Sequence, residues 1–390
     1  MKRVAIIGAG AAGCFCAVLL RKMAPELSIT VFEAGSKPMS KLAITGGGRC
    51  NLTNSFEGIR SLEEAYPRGT RIMKRALKVF SQEDTIRWFT AEGVPCTLQQ
   101  DHCWFPRSQD AMDVVRCLER GMNGVDLRLK TAVTSVKDLM ESFDYMVVTT
   151  GGAPGYRFLD GLDLEIIQPV PSLFTFNIPD QNLRSLMGLV VDATISLQST
   201  PYKASGPLLI TDWGLSGPAT LKLSSYAARH LAQTGYKGTI SINWLDQRES
   251  EVREWLNHAA LENPQKQLSN VYPLQQRLWE HLLRKASMRS NQRWAELGSK
   301  GLNRLVSVLT NDTYSLEGKS KFREEFVTAG GVAISNIHLN TLECKQHPGL
   351  YFAGEVLDLD AITGGFNLQA AWSTAFICAS SIISSIQQQS

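Results

Sequence analysis

The first 33 residues constrain the fold of this chain more than any other stretch. Residues 2–7 are a short apolar and β-branched run, typical of a strand buried on both faces of a parallel sheet. The run ends at GAGAAG (residues 8–13), which matches the pattern G-x-G-x-x-G. In this pattern Gly8 permits a tight turn, Gly10 lets the backbone approach a pyrophosphate, and Gly13 lets a helix pack closely against the strand.

The residues that follow complete a βαβ unit. Residues 11–23 have a helical pattern that Pro25 ends, and residues 28–32 form a second apolar strand that finishes on Glu33. The helix N-terminus offers free N–H groups to phosphates. Glu33 can accept hydrogen bonds from an adenosine ribose and would repel a 2′-phosphate. A lone glycine pattern is weak evidence, but here strand, turn, helix, strand and acid occur in order, which predicts a dinucleotide-binding domain.

Length and composition exclude several classes of protein. At 390 residues, 44% hydrophobic and 20% charged, the chain has room for two or three globular domains. A net charge of +3 is too small to indicate nucleic acid or an acidic membrane surface, so we do not expect a nucleic-acid partner. The eight cysteines have no C-x-x-C spacing, so neither a metal site nor a redox pair is predicted.

The chain shows no signal peptide and no convincing membrane span. Residues 370–386 are its most apolar late stretch, but they contain several serines and are short for a span, so a buried helix is predicted. We expect a cytoplasmic protein without an integral membrane segment. The sequence does not indicate its oligomeric state.

A second glycine-rich stretch, KLAITGGGRCNLTN, occupies residues 41–54. Its three consecutive glycines, 46–48, free the backbone to turn its N–H groups toward one point, as in an anion-binding nest. Lys41 and Arg49 flank them with positive charge, which predicts a ligand-binding loop. For Cys50 a packing or backbone role is favoured because no partner thiol lies nearby in sequence.

Several further elements precede residue 153. A helix is predicted over 81–92 with Ser81 as its cap, and a second begins after Ser108 and ends near Arg120. One or two strands are predicted over 125–136. A buried strand over 145–150 runs into Gly151-Gly152, where the backbone can approach a ligand at the end of the sheet.

The sequence pattern changes in the middle of the chain. Residues 165–211 hold short strand-like runs between turn residues, which indicate an antiparallel sheet or barrel. GLSGPA (214–219) lacks the spacing of a nucleophile elbow, so Ser216 is predicted to cap a helix. Residues 249–310 read as amphipathic helices, and the cations at 284–293 favour a solvated face over a phosphate site.

The last part of the chain returns to the first pattern. Residues 350–353 form a strand, and a second glycine turn, TGGFN (363–367), opens a helix over 368–384. We therefore predict one discontinuous domain with the middle inserted into it. The predicted limits are 1–153 and 328–390 for the discontinuous domain, 154–248 and 313–327 for the β-rich insert, and 249–312 for a helical piece within the insert.

These motifs resemble those of the two-dinucleotide-binding-domain flavoproteins. KLAITGGGRCNLTN, FVTAGGV and LYFAGEVLDLDAITGGFNLQAAWSTA are more narrowly similar to the YhiN/BaiN-like family, as are WFPRS and GLSGPA, so the resemblance covers almost the whole chain. It implies a Rossmann-like FAD-binding domain of α/β class, discontinuous in sequence, with an inserted antiparallel β-barrel-like domain that carries a helical subdomain. Thr45 and Ala361 depart from the expected Ser and Gly.

The resemblance also assigns roles to residues. Residues 8–13 would form the pyrophosphate turn, Glu33 would bind the ribose, Val133 would contact adenine through its backbone, and Glu355 would lie near the ribityl chain. Asn367 and Leu368 would offer backbone to the flavin ring. The predicted cofactor-binding residues are Gly8, Gly10, Ala12, Gly13, Glu33, Ala34, Lys41, Gly46, Gly47, Gly48, Arg49, Cys50, Asn51, Val133, Thr150, Gly151, Gly354, Glu355, Gly365, Asn367 and Leu368.

The resemblance implies a FAD-dependent oxidoreductase. Family members are linked to NAD(P)H-dependent reduction of conjugated double bonds in steroid acids and to oxidation of a small amino ketone. We expect hydride transfer through flavin N5 to a small organic substrate such as a conjugated alkene. NAD(P)H is the expected transient donor, because the one dinucleotide fingerprint is assigned to FAD.

Three alternatives remain at this point. One is an amine or amino-ketone oxidase that uses oxygen. The second is a tRNA-modifying flavoprotein, which a basic and aromatic-rich face in the insert would indicate. The third is a flavin-binding sensor without turnover. No side chain stands out as catalytic.

Overall fold

The chain divides into two compact units. The computed structural model describes residues 1–152, 155–319 and 327–389. Unit 1 comprises Met1–Val170 with Val327–Ser390, and unit 2 comprises Pro171–Phe326. The domain limits predicted from the sequence stay predictions, and those at 153–154 and within 320–327 fall on or beside residues outside the described ranges.

Unit 1 begins with alternating strands and helices, whereas unit 2 has short helices among its strands and a run of three longer helices before its last strand. The strands of the described residues are β1 (Arg3–Ile7), β2 (Ser28–Phe32), β3 (Thr53–Asn54), β4 (Cys96–Leu98), β5 (Cys103–Pro106), β6 (Asp126–Arg128), β7 (Tyr145–Val148), β8 (Ile166–Ser172), β9 (Phe176–Asn177), β10 (Val190–Leu197), β11 (Lys203–Ile210), β12 (Gly214–Ser216), β13 (Lys237–Asn243), β14 (Asp312–Glu317), β15 (Val327–Val332) and β16 (Leu350–Phe352). The helices are α1 (Ala11–Met23), α2 (Ser40–Gly48), α3 (Leu62–Ala65), α4 (Thr70–Val79), α5 (Gln82–Ala91), α6 (Ala111–Gly121), α7 (Val136–Leu139), α8 (Gln181–Arg184), α9 (Pro218–Tyr226), α10 (Ala228–Gln233), α11 (Glu249–Glu262), α12 (Gln276–Lys285), α13 (Gly298–Thr310) and α14 (Phe366–Gln389).

A five-stranded sheet organises unit 1. Its order is β16-β7-β1-β2-β6, and each neighbouring pair runs parallel. The central strand β1 has no exposed residue after Arg3, as its apolar sequence predicts. Since β1 is joined to β2 through α1, the predicted βαβ unit is confirmed.

Helices α1 and α14 pack together against this sheet through a layer of aromatic rings. The Phe15 ring lies 5.3 Å from the Trp372 ring and 4.7 Å from the Trp88 ring, centroid to centroid. The Trp372 indole also donates to the Leu52 carbonyl at 3.0 Å. Buried aromatic pairs stabilise beyond the area they remove from water, so this layer fixes the late helix beside the first one.

Two small sheets complete unit 1. The order β3-β5-β4 is antiparallel, with Thr53 opposite Trp104, and it holds the stretch after the glycine-rich segment. Strands β4 and β5 form a short antiparallel hairpin within it. Strands β8 and β15 form the second small sheet.

Unit 2 contains the predicted antiparallel layer. Its six strands follow the order β14-β13-β10-β11-β12-β9. The two outer strands also meet: Phe176 forms an antiparallel bridge with Lys319, and the Asn177 N–H donates to the Gly318 carbonyl at 2.8 Å. The sheet therefore curls on itself, which confirms a barrel-like arrangement. Helices α11 to α13 share its core, where Trp244, Trp279 and Trp294 are buried.

Three local predictions were wrong. Asp110, not Ser108, caps α6, because its carboxylate accepts from the Met112 N–H at 2.9 Å. Ser216 ends strand β12, and Gly217 stands at the cap position of α9. Residues 40–44 are helical where a loop was expected, whereas Thr45, Gly46 and Gly47 have non-helical backbone angles. Over 125–136 the structure has one short strand, β6, in agreement with the predicted one or two strands.

Helix α14 is the longest helix of the described residues. Phe366–Gln388 is long and apolar enough to cross a membrane by length and composition, but 67% of the tested window is buried inside the protein. A core helix passes the same test, so this is weak evidence for a span.

Candidate active site

The glycine turn after β1 is closed by contacts that leave no room for side chains. The Gly8 N–H donates to the Phe32 carbonyl at 2.8 Å, and the Thr149 hydroxyl donates to the Gly8 carbonyl at 2.8 Å. A Cβ on Gly8 (φ +104°) would lie 2.6 Å from the Thr149 carbonyl oxygen, and one on Gly13 would lie 1.9 Å from the Gly8 carbonyl oxygen. Two of the three motif glycines are therefore required by packing alone.

The third glycine is different and provides a test of fit for the pyrophosphate of FAD. A Cβ on Gly10 would meet no protein atom within 4 Å. Helix α1 begins there without a side-chain cap and without an acid in its first turn. The turn thus offers open space beside uncapped N–H groups at the positive end of a 13-residue helix. These features fit a diphosphate.

Glu33 stands at the carboxyl end of β2, beside the glycine turn. One carboxylate oxygen accepts from the Ala9 N–H at 2.9 Å, and the other accepts from the Gly35 N–H at 2.6 Å. A carboxylate has about four acceptor positions, so each oxygen keeps capacity for a ribose hydroxyl. Ala34 follows as an exposed residue on the same turn.

The segment after β6 approaches the same place. The Thr131 N–H donates to the Glu33 carbonyl at 2.8 Å, and the Lys130 N–H donates to the Gly35 carbonyl at 2.8 Å. Val133 lies two residues further on, half-buried. The structure therefore brings the predicted adenine-contacting segment next to the predicted ribose ligand.

The triple-glycine segment is the end of a helix instead of an open loop. Gly46, Gly47 and Gly48 all have positive φ, at 58°, 70° and 83°. This left-handed turn lets the chain leave α2 and continue to Cys50, whose N–H donates to the Thr45 carbonyl at 3.0 Å. The Arg49 guanidinium lies over the Phe105 ring, 4.5 Å from the ring centroid.

Cys50 is buried, and it has a φ of +61°. Burial raises the pKa of its thiol to about 12, so the thiol stays protonated at neutral pH. A backbone and packing role, as predicted from the sequence, agrees with this placement.

The segment after α2 supports the second glycine turn. In the amide orientation that satisfies its neighbours, Asn51 donates to the Thr53 carbonyl at 3.0 Å and accepts from the Gly365 N–H at 3.2 Å. The Asn54 amide donates to the Gly364 carbonyl at 2.9 Å. A Cβ on Gly365 would lie 2.6 Å from the Thr53 carbonyl oxygen. Two predicted cofactor segments, far apart in sequence, are thus joined directly.

Asn367 closes the second turn on itself. Its side chain accepts from the Ala361 N–H at 2.9 Å and donates to the Ala361 carbonyl at 3.0 Å. Its main chain therefore remains available to a cofactor. The main chain of Leu368, in the first turn of α14, is available as well. The backbone role that the resemblance implied for both residues stays a prediction.

Glu355 faces the end of β7. Its carboxylate accepts from the Thr328 N–H at 2.7 Å, and a Cβ on Gly151 would lie 3.8 Å from it. Burial raises the pKa of Glu355, while the charge of Lys41 and the Thr328 hydrogen bond act in the opposite direction. Lys41 and Gly151, which Thr150 precedes, therefore lie near Glu355, and the cofactor roles of these residues stay predictions.

The segment at Gly354 also touches helix α1. Gly354 has a φ of +75°, and a Cβ there would lie 3.2 Å from the Ala12 side chain. Its N–H donates to the Thr374 hydroxyl at 2.9 Å. The segment at Gly354, which follows β16, therefore meets the glycine turn at the N-terminal end of α1.

One set of contacts near this site was not predicted from the sequence. The Arg68 guanidinium and the Asp360 carboxylate form a buried ion pair, with Nη2 2.5 Å from Oδ2. The Ile362 N–H donates to the Ala65 carbonyl at 2.9 Å, and the Tyr66 hydroxyl donates to the Phe366 carbonyl at 3.0 Å. Residues 65–68 thus hold the 360–366 loop, a relation across almost 300 positions that no local pattern carries.

Within the described residues, no group of three His, Cys, Asp or Glu side chains could hold a metal ion. The site instead consists of glycine turns, helix N-termini and a few carboxylates at the carboxyl ends of parallel strands. This combination defines a Rossmann-type dinucleotide-binding flavoprotein.

Comparison with known proteins gives the family. Residues 2–381 match the model of the HI0933-like protein Rossmann domain. The chain belongs to this family, the YhiN/BaiN family of flavoprotein oxidoreductases, and the resemblance noted in the sequence is confirmed. FAD as cofactor and oxidoreductase as class are likewise confirmed.

Three characterised relatives align over nearly their whole length. A ribosomal RNA dihydrouridine synthase of Escherichia coli (strain K12) is 31% identical over 407 residues, covering 97% of this chain and 97% of that protein. A ribosomal RNA dihydrouridine synthase of Haemophilus influenzae is 29% identical, with 97% of each covered. A 3-dehydro-bile acid delta(4,6)-reductase of Clostridium scindens is 26% identical, covering 97% of this chain and 98% of that protein.

Proposed function

We propose that this flavoprotein reduces a carbon–carbon double bond conjugated with a carbonyl group, with NADH or NADPH as the hydride source. Two hydrogens are added: hydride at the carbon distant from the carbonyl and a proton at the carbon beside it. FAD supplies the flavin N5 through which hydride is exchanged. The chain's own residues hold the cofactor and orient the substrate.

The observation that carries this proposal is that the reactions named for the relatives share one kind of chemistry. Dihydrouridine is uridine with its carbonyl-conjugated ring double bond saturated, and a 3-dehydro delta(4,6) steroid acid carries double bonds conjugated with its 3-oxo group. The substrates differ greatly in size and charge, whereas the bond reduced is of one kind. The common feature is what we carry over to this chain.

The loops expected to flank the flavin are consistent with this role. Residues 45–51 and 361–367 contain no Asp, Glu, His or Lys. Arg49 is the one cation there, and it lies against Phe105. Such loops position neutral, planar groups, and they offer nothing that would act as a nucleophile at neutral pH.

Among activated alkenes we favour the uracil base of ribosomal RNA. Both relatives with that name are more similar to this chain than the bile acid reductase is. This choice departs from the expectation drawn from the net charge of +3. A net charge sums over the whole surface and does not describe a local patch.

A product assay tests the proposal. The purified holoprotein is incubated under nitrogen with NADH or NADPH and deproteinised ribosomal RNA from cells that lack this gene. The RNA is then digested and its nucleosides are analysed by mass spectrometry. We expect dihydrouridine to form with one nicotinamide and not without it. Absence of dihydrouridine, together with reduction of a small enone, would shift the substrate to small molecules.

The oxidase alternative gives a distinct outcome when the same holoprotein is assayed in air. A flavin amine oxidase would be reduced by a small amine and would release peroxide in air. Peroxide formation from an amine, without any nicotinamide oxidation, would overturn the reductase proposal.

A further inference from the structure

We infer that the solvent face of α4 binds the phosphate backbone of an RNA substrate, an inference that rests on the proposed function. Helix α4 carries Arg71, Lys74, Arg75 and Lys78 and no acid in its ten residues. The whole chain has a net charge of +3, of which this helix contributes +4, so the remaining residues sum to −1. Without these four cations the chain would carry no net positive charge.

The four cations form one stripe. Their spacing follows i, i+3, i+4 and i+7, which places them on one side of a helix. All four are exposed, while Ile72, Met73 and Ala76 on the opposite side are buried. From Arg71 to Lys78 the stripe runs about 10 Å along the axis, roughly three phosphate steps of a nucleic-acid strand.

The placement of these charges is unfavourable for an isolated helix. Arg71 with Arg75 and Lys74 with Lys78 are like-charge pairs at i, i+4, a spacing at which equal charges repel. Arg71 also stands in the first turn, at the positive end of the helix dipole, where Gly69 provides no side-chain cap. The next helix, α5, has the opposite arrangement, with Ser81 and Asp84 in a capping box.

The surroundings do little to relieve this repulsion. Among the described residues, no carboxylate forms an ion pair with any of the four cations. Arg75 donates to the Asn340 side chain, which is neutral. The pKa of the exposed Glu63 is lowered, first by its backbone and Ser61 hydrogen bonds and to a smaller degree by the charge of Lys74. A polyanion lying along α4 would relieve the repulsion between the cations.

The location within unit 1 links the stripe to the site. Residues 65–68, which hold the 360–366 loop, lead directly into α4, and Gly69 packs against Leu359. RNA phosphates on α4 would thus lie beside the segment that supports the second glycine turn. A base extruded from the strand can then enter the site while its backbone stays outside.

Binding measurements with charge variants test this surface. The probe is a fluorescein-labelled RNA hairpin with a uridine-rich loop, titrated with holoprotein at several salt concentrations and followed by anisotropy. For R71Q/K74Q/K78Q we expect affinity to fall about tenfold or more, and the slope of log K against log salt to become shallower by about 2. The matched control, R284Q/R289Q/K300Q, removes three exposed cations from unit 2 and should stay within about twofold of wild type.

A second variant distinguishes a loss of RNA binding from a loss of folding. K74E/K78E creates opposite-charge pairs with Arg71 and Arg75, so it should retain FAD content and thermal midpoint while losing RNA affinity. Unchanged affinity in both α4 variants, an equal loss in the control, a loss of NADPH affinity instead of RNA affinity, or no RNA binding by wild type would each overturn the inference.

The outcomes separate this inference from the proposed function. If wild type binds the hairpin through α4 but forms no dihydrouridine, the proposed function fails and the surface stands. If wild type forms dihydrouridine and the α4 variants bind RNA as well as it does, the surface fails and the proposed function stands.

Discussion

Arg68 and Asp360 form a bidentate ion pair although 292 positions separate them in the chain. The exposed fractions of the two side chains are 9% and 0%. Because both partners are buried, removal of one takes away the opposite charge that lies against the other, which is more costly than loss of a surface pair. The pair ties the entry of α4 to the loop that precedes the second glycine turn.

We expect Arg68→Met to lower the free energy of unfolding by about 3–5 kcal/mol. Urea unfolding followed by circular dichroism measures it. The matched control is Arg87→Met, which breaks an exposed pair with Asp84 and should cost less than about 1 kcal/mol. Equal effects of the two substitutions would show that the buried pair does not stabilise the loop.

The motif glycines provide a paired test of the cofactor site. Gly10→Ala adds a methyl group that meets no protein atom, so the protein should fold as wild type does but lose FAD. Gly13→Ala places its methyl group against the Gly8 carbonyl and should destabilise the fold itself. FAD content after gel filtration and the thermal midpoint separate the two effects. Wild-type FAD content in Gly10→Ala would mean that the pyrophosphate does not lie there.

Glu33→Arg should weaken FAD binding by about 1.5–3 kcal/mol, roughly ten- to hundredfold, because a charged acceptor of ribose hydroxyls is replaced by a cation. FAD titration of the apoprotein, followed by flavin fluorescence, measures the change. Glu26→Arg makes the same charge change at an exposed position and should leave the affinity unaltered. An unchanged affinity in Glu33→Arg would remove this residue from the ribose site.

How far the sequence predicts this structure depends on the range of the contacts involved. Helix α1 begins and ends where predicted, at Ala11 and Met23, and Ser81 caps α5 with Asp84. These features depend on residues only a few positions apart. The roles assigned to individual cofactor residues remain predictions, although the structure brings them together.

The errors and omissions have physical reasons as well. Ser108 and Asp110 are both good caps, and only the folded chain shows which carboxyl or hydroxyl reaches a free N–H. Residues 40–44 look like a loop because three glycines follow, yet the left-handed turn at 46–48 lets a helix form before it. The pairing of Arg68 with Asp360 depends on how distant segments pack, which no local pattern encodes.

The raised pKa of Glu355 predicts a pH dependence of stability in FAD-free protein. Since burial favours its protonated form, the folded state holds a proton that the unfolded carboxyl, with its ordinary pKa of 4.5, has already lost. This contribution to stability is complete below about pH 4.5 and declines as pH rises through the raised folded pKa. We expect the free energy of unfolding of Glu355→Gln to decline less than that of wild type over that pH window. Urea unfolding at a series of pH values measures it. A decline parallel to wild type, as expected for the exposed control Glu254→Gln, would contradict it.

Anaerobic stopped-flow absorbance of the bound flavin tests the reductase proposal most directly. The holoprotein is mixed with NADH or NADPH, and the reduced protein is then mixed with uridine-containing RNA, with a small enone or with buffer. We expect one nicotinamide to bleach the flavin bands and an activated alkene, RNA first, to restore them, while buffer leaves them bleached. Bleaching by a small amine but by neither nicotinamide, with recovery on admission of oxygen, would contradict the proposal and establish an oxidase.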